Sequence, residues 1–353
     1  MKILLHGATN WGSTNFGDFL YGHQIFYYLK NNYKNLEVNF FEASDYFKKY
    51  ISSTDKVNIF NANILIYIPG GYFGEKHNAR LIDNIIHFIR FIPFGLLGIL
   101  FHKKILVVGI GAGPIDCWFL RLAIKKICNN CKNITVRDEE SLYYLKSLNI
   151  KKVQEYSDMM LAYNLSNIAE STLQTKKIEK IKKEGKKILL IHYNHSEEAR
   201  DKFAEAASIF INKNPEYYVI VASDSILSYE ENYYSNFLKK YGNECFHFIY
   251  DNPFEMIKLL QIVDLVLTCK LHVGVVAIML KKSVICAAEH PEKSERFYKL
   301  INHSENYCSL YENNSMNIAN LLDKYKALNL EIPDSEIKKA MYHWKNIDDI
   351  LGN

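Results

Sequence analysis

The chain has 353 residues, 48% of them hydrophobic and 23% charged, with a net charge of +4. That length exceeds one ordinary core and predicts two domains of globular composition, while so small a positive excess excludes bulk attraction to nucleic acid. Of the seven cysteines only Cys128 and Cys131 are close in sequence, and no second pair stands at zinc-site spacing, so no metal is expected.

In chain order, residues 2–6 form an apolar strand that runs into a glycine loop ending at Asp18. No signal-peptide core or cleavage site follows, so a cytoplasmic chain is expected. A helix with apolar residues at helical spacing begins near Asp18. Asp18 is its candidate cap, and the N–H groups of its first turn make the loop a candidate anion or hydroxyl site. Strands at 38–41, 64–68 and 105–108 follow, the last two ending in Pro69-Gly70-Gly71 and in Gly109-Ile110-Gly111-Ala112-Gly113-Pro114. Three strands that end in glycine-rich turns imply a sheet edge where backbone closely approaches a ligand. The dinucleotide spacing G-x-G-x-x-G is absent from all three.

The most apolar stretch, residues 85–104, is interrupted by Pro93, Gly95 and Gly98 and contains Arg90, which argues against a spanning helix. It reads either as a buried helix with an irregular end, or as an apolar lip flanked by Arg90, Lys103 and Lys104 that rests on an anionic membrane surface. Arg137 stands at the end of the strand 134–136, with Asp138 to Glu140 opening the next helix, and Asp158 ends a further short strand. Residues 166–187 are lysine-rich and weakly patterned, as an interdomain linker would be.

A second α/β series begins at residue 188, with His192 at the end of its first strand as a secondary site candidate. Its centre is IVDLVLTCKLHVGVVAIMLKKSVICAAEHPEKSERF, residues 262–297. This reads as a buried strand, a Lys270-Leu271-His272 loop, a tight turn at Gly274, a short helix over 275–280, and a strand over 283–287 leading to Glu289 and Lys293. One β-α-β unit so built places Lys270, His272 and Lys293 at neighbouring strand ends, where open α/β sheets hold ligands. Two cations and a titratable imidazole suit a small, highly charged anion. The expected fold is therefore α/β, with two doubly wound, Rossmann-like domains facing across a cleft in the GT-B-like manner. Their expected bounds are 1–165 (acceptor side), 166–187 (linker), 188–315 (donor side) and 316–353, a helical tail that packs back on the first domain.

The motif order is N-x-G-D (Asn15, Gly17, Asp18), P-G-G (Pro69 to Gly71), G-x-G-x-G-P (Gly109 to Pro114) and V-R-D-x-x-S (Val136 to Ser141). Asp158, D-L-V-L-x-x-K-L-H (Asp264 to His272) and Lys293 follow. Together they resemble the polysaccharide pyruvyl transferase family over roughly residues 1–310. The resemblance implies a GT-B-like enzyme that moves pyruvate from phosphoenolpyruvate onto a sugar of a cell-surface polysaccharide precursor, usually as a cyclic ketal. It implies a cationic donor site using Arg137 and the R-L-H motif, which here reads Lys270-Leu271-His272. Lysine offers a point charge where arginine offers a rigid fork.

The chemistry then needs cations and N–H donors for phosphoenolpyruvate, a proton delivered to its methylene carbon and one removed from the attacking hydroxyl. His272 is the acid/base choice and Asp18 the group that orients or deprotonates the sugar. Donor contacts are expected from Arg137, Lys270, Lys293, Gly111 and Gly113, and acceptor contacts from Asn15, Gly17, Gly70 and Gly71. His192, Glu289 and Asp158 are secondary. No cofactor and no metal enter this scheme, nucleic acid is not a partner, and a polyprenyl-diphosphate-linked sugar is the expected acceptor, with membrane contact through 85–104. Two rivals stand beside it. One is a GT-B glycosyltransferase using a nucleotide sugar, with Glu289 on the ribose; the other is a non-catalytic saccharide-binding relic, kept open by Lys270.

Overall fold

The computed structural model describes residues 1–353 apart from 52, 76–78, 229 and 353. Two compact units divide it: residues 1–163 with 334–353, and residues 164–333. In the first unit the elements run β1 (Lys2–His6), α1 (Phe16–Asn32), β2 (Glu37–Phe40), α2 (Asp45–Tyr50), β3 (Ile64–Tyr67), β4 (Gly70–Phe73), α3 (Leu81–Leu100), β5 (Lys104–Ala112), α4 (Trp118–Asn130), β6 (Asn133–Val136), α5 (Glu139–Ser147) and β7 (Val153–Glu155). The second unit continues with α6 (Leu173–Lys183), β8 (Lys187–His192), α7 (Glu197–Lys213), β9 (Tyr217–Ala222), α8 (Glu230–Tyr241), β10 (Phe246–Phe248), α9 (Pro253–Ile262), β11 (Leu265–Thr268), α10 (Leu271–Met279), β12 (Ser283–Ala288), α11 (Pro291–Leu300), β13 (Tyr307–Ser309) and α12 (Ser315–Tyr325). The last helix, α13 (Asp334–Leu351), returns to the first unit.

Both sheets pair in parallel. The first has the order β2-β1-β3-β5-β6-β7, with β4 also on β5, and the second β10-β9-β8-β11-β12-β13. Parallel strands covered on both faces read as continuous apolar runs, and Leu4-Leu5, Ile64–Tyr67, Ile188–Ile191 and Leu265–Leu267 are all buried accordingly. In each sheet the first strand lies between the second and a later strand, so the chain reverses its direction of travel there. Those switch points, β1/β3 and β8/β11, are where the loops at the C-terminal ends diverge and leave room for a ligand.

Several local readings change. Gly70 and Gly71 and residues 109–112 are strand rather than turn: β4 pairs with β5, and β5 runs on through Gly111 to Ala112. Gly109 takes φ +58°, accepted without strain only by glycine, where the β5–β6 register shifts. Gly274 is no turn either. It lies inside α10, where a Cβ would meet the Tyr298 hydroxyl at 2.9 Å. The expected linker contains α6, which packs on α9 of the second unit, with the Lys182 ammonium 2.6 Å from Asp264. The expected tail is two pieces: α12 packs on α7 in the second unit, and only α13 belongs with the first.

Helix α3 runs unbroken through Pro93 for a visible reason. The Tyr67 hydroxyl donates to the Phe91 carbonyl (2.8 Å) and accepts from the Gly95 N–H (2.9 Å), bridging a pair that an undisturbed helix joins directly. The Arg90 carbonyl is taken by His6 Nε2 (3.2 Å) and Asn10 Nδ2 (3.1 Å). A neighbouring strand and loop thus satisfy backbone groups that a proline leaves open.

Helix α13 is anchored by His343, whose Nδ1 lies 2.8 Å from Thr135 Oγ1 and whose Nε2 lies 2.9 Å from the Ser157 carbonyl. Burial lowers its pKa to about 4 from an ordinary 6.5. A base depressed in the folded state contributes stability above its unfolded pKa and loses it as the pH falls from about 6.5 toward 4, a contribution of about 3 kcal/mol here. His6, lowered to about 4 by burial in the same unit, acts in the same direction. Chemical denaturation at neutral pH and at pH near 5 should show lower stability in acid, and His343→Asn should flatten that slope by about one proton.

Candidate functional site

Each unit carries its own cluster at the C-terminal ends of its strands. In the second unit the switch point brings together His192 of β8 and Thr268 of β11, paired in register. His192 is fully buried, with Nδ1 2.8 Å from Thr268 Oγ1 and Nε2 3.7 Å from Asp224 Oδ1, an electrostatic rather than a hydrogen-bonded separation. Asn194 Nδ2 donates to Asp224 Oδ1 at 2.5 Å, and Asn194 Oδ1 accepts the Asp224 N–H at 3.1 Å. Burial would raise the Asp224 carboxyl, but His192, Asn194 and Lys270 outweigh it and bring its pKa to about 2. The Thr268 hydroxyl also donates to the Lys270 carbonyl at 3.1 Å, which ties the end of β11 to the segment that follows it. A cavity of about 270 Å³ adjoins through Asn194, lined also by Tyr193, His195, Arg200, Tyr233 and Asn236.

One strand further, β11 feeds α10 and β12 feeds α11. Neither helix has a side-chain cap on its first turn, as is also true of α4, whereas α1, α2, α5, α6, α7, α9 and α12 each have one. Lys270 occupies the N-cap position of α10, and its backbone N–H donates to Thr268 Oγ1 at 3.0 Å. Its ammonium is bonded to the Glu289 carboxylate at the end of β12; burial alone would lower its pKa, but the negative groups around it raise it instead. His272 stands half-buried in the first turn of α10, and Lys293 is exposed in the first turn of α11. His290, at the N-cap of α11, has its pKa lowered by burial and then by Lys270 and Lys293, which sets it within the field of both cations. The N-termini of α10 and α11 thus carry Lys270, itself paired with Glu289, and Lys293, and protonation of His290 is disfavoured beside the two cations.

In the first unit the ion pair of Arg137 reaches across to another element. Its guanidinium lies 3.5 Å from Asp158 and 3.3 Å from the Tyr21 hydroxyl, and Tyr21 in turn donates to Asp158 at 2.7 Å. Burial opposes the charge on Arg137, but Tyr21 and Asp158 outweigh it and raise its pKa. Gly111 is packed under that guanidinium, where a Cβ would come within 3.1 Å of it. Asp138 caps α5 through the Ser141 N–H (2.8 Å), and Ser141 Oγ bonds both the N–H and the carbonyl of Ala112 at 2.8 and 3.0 Å. The V-R-D-x-x-S motif therefore ties α5 and β5 together.

Asn15 caps α1 by accepting the Asp18 N–H at 3.1 Å, and Asp18 lies in the first turn within the electrostatic reach of Arg90 and Tyr72. Arg90 holds the glycine loop through Asn10 Oδ1 (2.7 Å) and the Ala8 and Asn10 carbonyls. Gly17 is buried in α1, Gly70 is buried beneath the Tyr72 ring, Gly71 is exposed, and the Gly113 N–H donates to Phe73. Cys128 and Cys131 are buried at the end of α4, their thiols pushed up by burial.

The residues that sequence reading passed over are Asp224, Thr268, Asn194, His290 and Tyr21. Each lies at or within two positions of a strand end or in a helix interior, and the pairing of β8 with β11 is what gives the first three their meaning.

Two doubly wound parallel sheets in one chain define a GT-B-like protein. The fold matches a putative UDP-N-acetylglucosamine 2-epimerase from Listeria monocytogenes (TM-score 0.69, 12% identity, covering 99% of this chain and 96% of that one). It also matches UDP-GlcNAc 2-epimerases from Methanocaldococcus jannaschii (0.66, 13%, covering 100% and 99%) and from Neisseria meningitidis bound to UDP-GlcNAc (0.65, 13%, covering 100% of each). No curated protein matches the chain by sequence. The family model for polysaccharide pyruvyl transferases matches residues 15–291, and the chain belongs to that family.

Proposed function

We propose that the chain transfers pyruvate from phosphoenolpyruvate to a sugar of a polysaccharide precursor, closing a cyclic ketal on two hydroxyls. The observation that carries the donor assignment is the pair of uncapped helix N-termini, α10 and α11, flanked by Lys270 and Lys293. A phosphate and a carboxylate on one small molecule are the ligands such a field favours. His272 delivers the proton to the methylene carbon, the first sugar hydroxyl attacks the adjacent carbon, and phosphate leaves. Asp18 orients or deprotonates that hydroxyl, and the second hydroxyl closes the ring. Lys270 also keeps Glu289 engaged, which weighs against the ribose-binding role that a nucleotide-sugar transferase would require of this carboxylate.

Calorimetry tests the donor. Phosphoenolpyruvate should bind the wild type, and Lys270→Ala should weaken it at least tenfold, since a charge-assisted bond to an anion contributes about 1.5–3 kcal/mol. Absence of phosphoenolpyruvate binding alongside binding of UDP-N-acetylglucosamine would overturn the reading in favour of a nucleotide-sugar enzyme. Sugar binding without turnover would favour the relic.

A further inference from the structure

Helix α3 is apolar on two sides. Its inner side carries Phe91, Ile92 and Phe94 into the core, and Gly95 and Gly98 press so closely on Tyr67, Ile127 and Leu65 that a Cβ at either would come within 2.7 Å of them. A helix with one face in the core ordinarily turns charge to solvent on the other. Here the outer side presents Leu81, Ile82, Ile85, Ile86, Ile89 and Leu100, with Ile86 and Ile89 47% and 52% exposed. Their spacing makes one stripe, about 30 Å long for a helix of this length.

Helix α4 extends the stripe. Phe119 packs edge-on against Phe88 of α3 at 5.8 Å, and beside it Trp118 is 66% exposed with Leu122 one turn on. Arg121, Lys125 and Lys126 follow on the same helix. Between Leu81 and Lys132 there are seven lysines and arginines against two aspartates, Asp83 and Asp116, an excess of five in a chain whose whole net charge is +4. The rest of the chain is thus close to neutral, and this basic excess lies in and next to the two helices that carry the exposed apolar face.

We propose that the outer face of α3, with Trp118 and Leu122 of α4, seats on the surface of an anionic lipid bilayer. Apolar side chains that enter the headgroup boundary, an indole at its edge and a basic rim are the features of an interfacial helix. α3 is long and apolar enough to cross a membrane, but its inner face is locked to β3, β5 and α4, and Arg90 holds the β1–α1 loop. The helix therefore lies on the membrane without spanning it. The inference rests on the first unit alone and does not depend on the donor chemistry.

The test is co-sedimentation of the full chain with phosphatidylcholine vesicles, with and without phosphatidylglycerol, at low and high salt. Binding is expected only to the anionic vesicles, reduced by salt, with a blue shift of tryptophan emission that Trp118→Phe removes. Lys125→Glu with Lys126→Glu should weaken binding at least about thirtyfold, because each basic residue near an anionic surface contributes about one kcal/mol. Ile86→Ser with Ile89→Ser should weaken it more than about tenfold while leaving the melting temperature unchanged, as both are exposed. No binding to anionic vesicles at low salt would overturn the proposal. Equal binding to neutral vesicles would overturn it as an anionic site, and a dimer in solution dissociated by the isoleucine changes would assign the face to a second copy of the chain.

Discussion

Replacing His272 with alanine should lower pyruvyl transfer by about 10²–10⁴-fold, the usual contribution of a positioned acid or base, and leave phosphoenolpyruvate affinity within a few-fold. The separation of the two readouts is the point. His272 stands half-buried in the first turn of α10, beside Lys270, and on the proposed reading a donor held at that helix terminus would meet the imidazole there. A histidine that merely filled space would lower the melting temperature on truncation and leave the rate per folded molecule unchanged. An imidazole that only bound the donor would raise KM and spare kcat. His272→Gln supplies a second control, since glutamine keeps hydrogen-bonding capacity without a titratable proton. The glutamine variant should be as slow as the alanine one, and any limb of the wild-type pH–rate profile that the imidazole supplies should be missing from both. Equal rates for wild type and both variants would remove His272 from the chemistry and turn attention to the buried His192.

The alternation of apolar strands with helical patterns was enough to read two doubly wound units, because buried parallel strands are written as continuous Val, Ile and Leu runs. The candidate site was legible in position where charge sits at a strand end followed by a helix, as with Lys270, His272 and Lys293, which the fold sets at the N-termini of α10 and α11. It was not legible where meaning comes from lateral pairing. Asp224 follows an ordinary strand, and only the adjacency of β9, β8 and β11 brings it to His192 and Thr268. Glycine runs misled in the same way: Gly109 and Gly111 look like a turn, yet one relieves a register shift in β5 and the other makes room for the Arg137 guanidinium. Pro93 reads as a helix end, and nothing local announces that a tyrosine two elements earlier will bridge the open backbone pair. The tail divides between units for the same reason, since α12 and α13 are both charged amphipathic helices whose partners, α7 and the Thr135–Ser157 surface, lie far away in sequence.

Arg137 offers the second large effect, on stability. Its guanidinium, the Tyr21 hydroxyl and the Asp158 carboxylate form a closed, nearly fully buried triad, and Asp158 also caps the following turn through the Met160 N–H at 2.9 Å. Arg137→Met removes the cation and leaves a carboxylate in a low-dielectric site, a change that costs about 3–5 kcal/mol when one partner of a buried pair is lost. In a unit of this size that corresponds to a fall of about 10 °C or more in melting temperature. Lysine at 137 should recover part of the loss, because it keeps the charge without the fork that spans Asp158 and Tyr21. The double change Arg137→Met with Asp158→Leu should be more stable than Arg137→Met alone, since deleting both charges removes the desolvation penalty that deleting one exposes. If instead Arg137 serves mainly as a donor ligand, as the family resemblance implies, Arg137→Met would melt near the wild type and lose phosphoenolpyruvate affinity, and adding Asp158→Leu would change neither. Differential scanning calorimetry of the four proteins, paired with donor titration, separates the two roles.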